Sequence, residues 1–445
     1  MNEAITRHFL LPVHERLRRR ETLRHYRHLR ANERRSPEAV AALRDRKLGA
    51  LVDHCLAQVP FHGERLRAAG IAAGEGLTAA DLERLPPLER SDIRSHLDDL
   101  CAASHRRRLI RYTTGGSTGE PLVFYTDRRK EARHNAHKLR YRAWHGVLPG
   151  DRQADFWGSP IELNKQTALR LWKDRRLLNQ RLFSAFDLTA ERLDRYIAEL
   201  RRFRPRLIYG YPTVIHRVAL RMKERGVWPR GWPRLVATTA EMLLDHQRAA
   251  IGDAFGCPVA NEYGSRDAGL VATECPHGRL HLAAEHTIVE VDAPDADGIG
   301  DLLVTNLDGY GMPLLRYRVG DRGWLDQEGC DCGLPLPVLG GVAGRSNDFL
   351  VGRDGKLVHS LAPIYVLREL AKLSQFRIRQ RPDRSLEVQL VARQMLTSDE
   401  LEGIREKLQT ILDLPVAVDF RYPETIEPEA SGKYRWVVSE AETDR

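Results

Sequence analysis

The sequence predicts an α/β protein built from a large N-terminal domain and a small α+β C-terminal domain. Its 445 residues exceed the size of one ordinary hydrophobic core. Short β-rich segments such as RPRLIYGYP alternate with segments of helical periodicity such as LTAERLDRYIAELRRF, which is typical of a mostly parallel sheet. Ligands bind at the carboxyl ends of the strands in such sheets, so the loops there form the candidate site.

The composition is that of a globular protein, with 42% hydrophobic and 29% charged residues. No stretch reaches the roughly eighteen apolar residues of a membrane span, and the apolar run near the N-terminus is too short for a signal peptide and precedes its arginines. We therefore expect a cytoplasmic protein that does not engage a membrane. Six cysteines without a secretory signal argue against a disulfide framework.

A net charge of +9 and a pI near 9.3 raise the hypothesis of a nucleic-acid-binding protein. The arginines are spread along the chain, however, and are densest in residues 1–50, where they recur at helical spacing. This pattern favours the solvated face of an amphipathic helix, so nucleic acid is the less favoured partner.

The local pattern divides the chain into segments. These are a helical lead, an α/β core, a turn-rich β subdomain and a separate α+β domain, at residues 1–105, 106–284, 285–345 and 346–445. Within the helical lead, Ser36 and Pro37 fit the N-cap and the first residue of a helix.

A glycine-rich loop in RYTTGGSTGEPLVFYTD, residues 111–127, is the first candidate for a ligand site. It lacks the lysine of a P-loop, because Glu120 and Pro121 follow Gly119, and the next residues predict a strand rather than a helix. Its backbone N–H groups and hydroxyls can still surround an anion. An ordinary glycine-rich hairpin is the alternative.

Three further stretches carry residues suited to a nucleotide. In NEYGSRDAGL, 261–270, the tyrosine ring can stack on a purine and Asp267 can hold a hard cation. In RYRVGDRG, 316–323, Asp321 can accept hydrogen bonds from two adjacent hydroxyls. SGKYR, 431–435, places a lysine in a glycine-containing loop. Each stretch is an ordinary polar turn when taken alone.

The order of these motifs indicates a family. The adenylate-forming acyl-CoA and aryl-CoA synthetases have core motifs that resemble, in the same order, TGGSTGEP (114–121), EYGSRDAG (262–269), YRVGD (317–321), GRSND (344–348) and SGK (431–433). The chain most resembles the phenylacetate-CoA ligase family and its CapK-like branch, over nearly its whole length. This resemblance implies a large adenylate-forming domain at 1–345 and a small mobile lid domain at 346–445.

The resemblance also implies roles for the matching residues. The loop would grip the β- and γ-phosphates of ATP through Thr113, Thr114, Gly115, Gly116, Ser117, Thr118 and Gly119. The motif residues Glu262, Tyr263 and Gly264 would bind the nucleotide, with the tyrosine ring on the adenine. In the segment TTAEM, Thr239 and Glu241 would line the adenine and acyl pocket.

Five more residues complete the implied active site. Asp267 would hold Mg²⁺, Asp321 would bind the ribose hydroxyls, and Arg345 would contact ribose and phosphate. Lys433 would bridge the substrate carboxylate and the α-phosphate. A carboxylate attacking a polyanion meets charge repulsion, which Mg²⁺ and a lysine at the developing negative charge reduce. Lys433 must approach in one step only, which fits a lid that turns on a hinge at Asp348.

Cysteines and histidines provide a second signal. CPHGRLH (275–281) and CDC (330–332) contain three thiols and two imidazoles, ligand types that suit tetrahedral Zn²⁺. We predict a structural zinc site with the ligands Cys275, His281, Cys330 and Cys332, and with His277 as the alternative imidazole. The alternative without metal is a set of reduced cysteines in turns.

Phe156, Trp157, Tyr209 and Tyr211 are candidates for an acyl pocket, although core packing is the commoner role of such residues. The resemblance implies an ATP- and Mg²⁺-dependent ligase that activates a carboxylic acid, with an aromatic acid favoured, and transfers the acyl group to coenzyme A. The alternative acceptors are an amine, a carrier-protein thiol or another nucleophile. A homodimer is left open.

Overall fold

The computed structural model describes residues 2–72, 76–113, 122–157, 168–185, 188–228, 231–345, 349–353, 357–359, 361–368, 370, 372–427 and 435–441. The chain divides into two compact units. The first contains Met1–Asp292, Leu302–Val319 and Trp324–Gly341, and the second contains Ala293–Asp301, Gly320–Gly323 and Val342–Arg445.

The first unit begins with helices, as the sequence predicts. They are α1 Glu3–Ile5, a π-helical turn Thr6–Leu10, α2 Leu11–Leu17, α3 Thr22–Asn32, α4 Pro37–Gln58, α5 Pro60–Ala68 and α6 Arg90–Ser95, with 3₁₀ turns at Ala79–Arg84 and Arg106–Arg108. Ser36 caps α4 by accepting a hydrogen bond from the Ala39 N–H at 3.3 Å. The cap pairs a donor that the first helical turn leaves without an intrahelical partner.

Strands and helices then alternate. The strands are β1 Ile110–Thr113, β2 Val123–Thr126, β3 Gln153–Trp157, β4 Gln180–Ser184, β5 Leu207–Gly210, β6 Leu235–Thr239, β7 Val259–Ser265, β8 Gly269–Glu274, β9 Leu280–Leu282, β10 Thr287–Asp292, β11 Gly300–Asn306, β12 Tyr317–Asp326 and β13 Val338–Arg345. The helices between them are α7 Arg128–Trp144, α8 Ala168–Arg176, α9 Ala190–Phe203, α10 Pro212–Glu224 and α11 Asp245–Phe255.

The strands from β3 to β13 form one mixed sheet in the order β10-β11-β12-β13-β9-β8-β7-β6-β5-β3-β4, and β1 and β2 form a hairpin. The neighbours β4, β3, β5, β6 and β7 are parallel, whereas β7, β8 and β9 are antiparallel. The predicted α/β class is therefore confirmed, and the predicted parallel pairing extends from β4 to β7 within a sheet that is mixed as a whole.

Helices cover both faces of the parallel strands. On one face, α9, α10 and α11 pack on the sheet through a cluster that includes Leu200, Ile215 and Ile251. On the other face, Tyr141 of α7 packs near Leu235 of β6. Strands β5 and β6 are buried along their length, which accounts for their almost continuous apolar sequence.

The second unit has a small four-stranded sheet of order β18-β17-β16-β19. Its elements are β14 Phe349–Val351, β15 Leu357–His359, α12 Leu361–Arg368, β16 Leu373–Gln380, β17 Leu386–Ala392, α13 Ser398–Leu412, β18 Val418–Arg421 and β19 Val437–Ser439. Thr397 begins α13 with a capping box in which Glu400 is the partner. In the part of the chain that the structure describes, no helix combines the length and the apolarity needed to cross a bilayer.

Gly210 ends β5 and pairs with Phe156 of the neighbouring strand β3. Its φ is 156°, and a Cβ built there stands 2.2 Å from the carbonyl oxygen of Phe156. We expect Gly210→Ala to displace the backbone and to lower the free energy of unfolding by about 1–3 kcal/mol in urea denaturation. Gly252→Ala in α11, where the nearest atom is 3.8 Å away, is the control and should be neutral or slightly stabilising. Equal stability of the two variants would contradict this interpretation.

Candidate active site

The strand ends of the parallel sheet bring several expected site residues together. β3 ends at Trp157, β5 at Gly210 and β6 at Thr239. Gly210 pairs with Thr238, and Thr239 pairs with Glu262 of β7, so these ends lie in register. They form the edge at which parallel α/β sheets bind ligands.

Trp157, Tyr209 and Tyr211 form an aromatic stack at this edge. The Trp157 ring lies 4.5 Å from Tyr211 and 5.9 Å from Tyr209 between ring centroids, nearly parallel to both. Phe156 is separate from the stack, because adjacent residues of a strand face opposite sides of the sheet. Its side chain is 0% exposed and stacks on Phe183 within the hydrophobic core.

Glu262 joins a helix and two strands through its buried carboxylate. Tyr141 of α7 donates a hydrogen bond to Oε2 at 2.7 Å, and Tyr209 of β5 donates to Oε1 at 2.9 Å. The Lys138 Nζ lies 2.9 Å from Oε1 and donates to the Tyr209 hydroxyl at 2.8 Å. Both carboxylate oxygens are paired, which avoids the large free-energy cost of an isolated buried charge.

This network keeps Glu262 ionised. Burial disfavours the carboxylate, but the charges of Lys138 and Arg142, with hydrogen bonds from Lys138 and Tyr141, outweigh burial and lower the pKa from 4.5 to about 2. Burial and the Glu262 charge raise the pKa of Tyr141 and that of Tyr209 well above the ordinary tyrosine value. The two hydroxyls are therefore protonated and serve as donors.

Asp267, the expected Mg²⁺ ligand, lies in the turn after β7 and is almost fully buried. Tyr317 donates to its Oδ2 at 2.7 Å, and the Ser265 hydroxyl and the Ala268 N–H donate to Oδ1. Burial acts to raise the pKa of Asp267, but hydrogen bonds from Ser265 and Tyr317 and the charge of Arg90 lower it overall. An ionised carboxylate offers about four acceptor positions, more than these donors use.

Two cations hold the backbone around this turn. The buried Lys130 of α7 donates to the carbonyl oxygen of Asp267 at 2.6 Å, and burial lowers its pKa to about 8 despite the opposing charges of Asp267 and Asp127. Arg266 donates to the carbonyl oxygen of Thr113, the last residue of β1, at 3.0 Å. The turn EYGSRDAG is thereby attached to the strand that leads into the glycine-rich loop.

Glu241 lies in the turn after β6 and binds the start of helix α10. Its Oε2 accepts hydrogen bonds from the Thr213 N–H at 3.2 Å and from the Thr213 hydroxyl at 2.7 Å. The preceding Ala240 has a φ of 71°, a left-handed conformation that non-glycine residues rarely adopt and that often occurs at functional sites. Tyr263, beside Glu262 on β7, is half-buried.

Other expected site residues lie outside the described residues: Thr114, Gly115, Gly116, Ser117, Thr118 and Gly119 of the glycine-rich loop, the hinge residue Asp348, and Lys433. Arg345 is the last residue of β13, and its side chain is also outside the described part. Asp321 is half-buried in β12 and belongs to the second unit.

Helix α7 supplies site residues that the sequence analysis did not identify. Lys130, His134, Lys138 and Tyr141 recur at helical spacing and face the sheet, where His134 Nδ1 accepts a hydrogen bond from the Leu270 N–H at 3.0 Å. The feature of the sequence that could have identified these residues is the helical spacing of their polar side chains. A solvated helix face gives the same pattern, so only the buried partners show which side of α7 is the functional one.

The predicted zinc ligands form one cluster in the first unit. One ligand atom from each of Cys275, His281, Cys330 and Cys332 lies within 4.8 Å of the others. The Cys275 and Cys330 sulfurs are 3.8 Å apart, and the Cys332 sulfur lies 3.2 Å from His281 Nε2. His277 instead contacts Asp331 at 2.7 Å and belongs to a more exposed group with Cys330.

The second nitrogen of His281 fixes the orientation of this imidazole. Nδ1 donates to the carbonyl oxygen of Leu336 at 3.1 Å, since a carbonyl can only accept. In the neutral ring, Nε2 is then the acceptor that faces the thiols, as in histidines that bind metal ions. Burial and the neighbouring thiols raise the pKa of Cys332 to about 12, a shift that a bound metal ion reverses by stabilising the thiolate.

Comparisons with known proteins agree with this architecture. No protein-family profile matches the chain. Protein CapK of Staphylococcus aureus is 32% identical over 306 residues, covering 67% of this chain and 66% of CapK. The aligned region thus spans just under two thirds of CapK. A phenylacetate-coenzyme A ligase of Thermus thermophilus is 28% identical over 331 residues, covering 71% of this chain and 72% of that ligase.

A solved structure shares the fold over most of the chain. A 2-hydroxyisobutyryl-CoA ligase in the postadenylation state, in complex with R3-HIB-AMP, superposes with a TM-score of 0.69. The match covers 88% of each chain at 18% identity. At this identity the similarity establishes the shared fold.

We expect Glu262→Gln to make the free energy of unfolding less dependent on pH in the acid range. The carboxylate has a folded-state pKa of about 2 against an ordinary 4.5, so it stabilises the fold above about pH 4.5 and loses this effect as the pH falls towards 2. The variant should lose roughly 3 kcal/mol at neutral pH and show a smaller decrease in stability between about pH 5 and pH 3. Unfolding in urea at both pH values measures this, with the exposed Glu64→Gln as the control. An unchanged pH dependence in Glu262→Gln would refute the assignment.

Proposed function

Because the chain belongs to the family of adenylate-forming ligases that contains CapK and the phenylacetate-coenzyme A ligases, we propose that it activates a carboxylic acid with ATP and Mg²⁺ and transfers the acyl group to coenzyme A. The observation that carries this proposal is the contact between Arg266 and Thr113. It joins the turn that holds an ionised Asp267 to the strand that leads into the glycine-rich loop. Phosphoanhydride chemistry requires a cation ligand near a phosphate-binding loop, and the proposal assigns these roles to Asp267 and to the residues that follow Thr113.

The residues around Asp267 fit a magnesium ion. The carboxylate is anionic and rigid, because Tyr317, Ser265 and the Ala268 N–H fix both oxygens. When bound, Mg²⁺ neutralises phosphate charge as the acid attacks. Tyr317 and Lys130 are positioning residues in this proposal, since they hold the carboxylate and the carbonyl oxygen of Asp267.

The residues expected from the sequence to bind the nucleotide are proposed to do so in the roles that the resemblance implies. The half-buried Tyr263 is proposed to stack on adenine, and Glu241 and Thr239 to border the pocket from the end of β6. Asp321 is proposed to bind the ribose hydroxyls, and Arg345 to contact ribose and phosphate. Glu262 is proposed to act indirectly, because its carboxylate is occupied by Tyr141, Tyr209 and Lys138.

An aromatic acid is the proposed substrate class. The stack of Trp157, Tyr209 and Tyr211 presents flat rings at the carboxyl edge of the sheet, and such rings favour another ring as an offset-stacked partner. Phe156 is proposed to support this stack from the core side of the strand.

The C-terminal region, residues 346–445, is proposed to act as a lid that turns at Asp348. Lys433 reaches the substrate carboxylate and the α-phosphate in the adenylation step only, and another orientation of the lid admits the acceptor. This arrangement separates adenylation from acyl transfer.

A structural zinc ion is proposed at Cys275, His281, Cys330 and Cys332. Three sulfurs and one nitrogen within 4.8 Å suit tetrahedral Zn²⁺, and the bond from His281 to Leu336 orients the imidazole. Four protein ligands leave no open position, so the ion would link β9 to the segment before β13 rather than take part in the reaction.

Pyrophosphate release over a panel of aromatic and aliphatic acids, with ATP and Mg²⁺, tests the proposed reaction. We expect acid-dependent release that increases with coenzyme A. Lys433→Ala should lower release by roughly 10²–10³-fold and leave acyl transfer from a preformed adenylate largely intact, whereas the exposed Lys407→Ala on α13 should behave as the wild type. Acid-dependent release that coenzyme A does not affect would indicate another acceptor, such as an amine. Equal loss of both steps in Lys433→Ala would contradict its role.

Metal analysis of the purified chain tests the zinc site. We expect about one zinc ion per chain. Cys332→Ser should remove the metal and lower the thermal stability, whereas Cys257→Ser, which changes a cysteine outside the cluster, should retain it. A metal-free chain with the stability of the metal-containing preparation would exclude a structural zinc ion.

A further inference from the structure

The N-terminal helices expose a line of large apolar side chains. Ile5, Phe9, Val13 and Leu17 are 51%, 72%, 51% and 79% exposed. They recur every fourth residue along α1, the π-helical turn and α2. Monomeric soluble proteins rarely expose contiguous apolar surface without an interaction that uses it. We call these four side chains the N-terminal stripe.

The local helix geometry keeps the stripe straight. Residues four apart in an α-helix drift by about 40° per step around the axis. The π-helical turn at Thr6–Leu10 is wider and rotates less per residue, so it opposes this drift. At 1.5 Å per residue, the stripe is roughly 18 Å long.

The opposite side of these helices is firmly attached to the first unit. Thr6 is 0% exposed and accepts a hydrogen bond from the Asn179 side chain at 3.0 Å. Arg7 pairs with Asp151, and Glu15 accepts a hydrogen bond from the Thr22 N–H at 2.8 Å. These contacts hold the stripe on the outside of the unit.

Exposed basic residues alternate in sequence with those of the stripe. Between residues 4 and 19, His8, Arg16, Arg18 and Arg19 are exposed, and the single acidic residue, Glu15, is buried. This side of the unit therefore carries apolar and positively charged groups together.

The neighbouring helix α8 also exposes an aromatic side chain together with basic side chains. Its Lys173 lies 3.3 Å from His14 of α2 and also pairs with Asp174 at 3.0 Å. Trp172 is 54% exposed, and Arg175 and Arg176 are exposed as well.

A basic cavity adjoins these residues. It has a volume of about 350 Å³ and is lined by Arg152, Arg175, Arg176, Arg181, Arg202 and Phe203. We call it the arginine pocket. Arg181 lies over the Phe203 ring at 4.4 Å, and burial and the charge of Arg175 lower the pKa of Arg181. Glu3 and Glu199 pair with Arg152 and Arg181 and offset only part of this charge.

We propose that the N-terminal stripe and the arginine pocket together dock the protein on an anionic phospholipid surface. The stripe enters the boundary between headgroups and acyl chains, and the arginines bind the lipid phosphates. An apolar helix face with aromatic residues and flanking arginines is what interfacial binding requires. This role is independent of the proposed ligase activity, and it differs from the expectation from sequence that no membrane is engaged.

A second copy of the chain fits this surface less well. A two-fold interface brings two copies of the same positively charged patch together, and their like charges repel each other. A stripe of four side chains is also much smaller than the roughly 800 Å² per partner that stable interfaces bury.

Sedimentation of the full chain with vesicles, without substrates, tests the proposal. We expect binding to vesicles of phosphatidylcholine mixed with phosphatidylglycerol, weak binding to phosphatidylcholine alone, and release as salt rises above about 0.1 M. The double variant Phe9→Asp, Leu17→Asp should bind more than about tenfold less tightly. The control Leu220→Asp, Trp228→Asp changes exposed side chains elsewhere in the same unit and should bind as the wild type.

Thermal unfolding shows whether each variant is folded. We expect all of them to be folded, because the substituted side chains are exposed. Failure of the wild type to bind the anionic vesicles would overturn the proposal, as would equal binding by the stripe variant and the wild type. A dimer in light scattering that Phe9→Asp, Leu17→Asp disrupts, without vesicle binding, would assign the stripe to a second copy instead. Pyrophosphate release is measured separately, so either proposal can fail without the other.

Discussion

The buried carboxylate of Glu262 is the interaction on which the candidate site depends. It joins β7 to β5 through Tyr209 and to α7 through Tyr141 and Lys138. A buried charge is stable only while its partners are in place. The helix and both strands must therefore hold a fixed relation, and that relation positions the ring of Tyr209 against Trp157. The position of the aromatic stack therefore depends on the hydrogen bonds and the ion pair of Glu262 as well as on packing.

Buried polar contacts of helix α7 also fix the position of the turn after β7. Lys130 binds the carbonyl oxygen of Asp267, and Tyr317 binds its carboxylate. One helix thus fixes both the aromatic edge and the proposed cation ligand. Its buried polar face has an energetic cost, which pairing with β5, β7 and the turn offsets. Rigid placement of this kind is what catalysis by electrostatic stabilisation requires.

The two proposed activities use opposite edges of the sheet. The aromatic stack and Asp267 follow the carboxyl ends of the strands, whereas Arg152 precedes β3 and Arg181 lies at the start of β4. A strand of five residues separates the edges by roughly 16 Å. Docking through the arginine pocket would therefore leave the carboxyl edge accessible to small molecules.

The sequence by itself determined the α/β class, the cap at Ser36 and the order of the motifs, because these depend on local spacing and composition. It also singled out the three thiols of the cysteine–histidine cluster and left two imidazoles, His277 and His281, as candidates for the fourth place. Only the tertiary structure decided which imidazole joins the thiols, that Phe156 lies in the core, and that Tyr141 pairs with Glu262 across 121 positions. The physical reason is that a side chain's environment is set by chain segments far away in sequence, and local patterns carry no record of them.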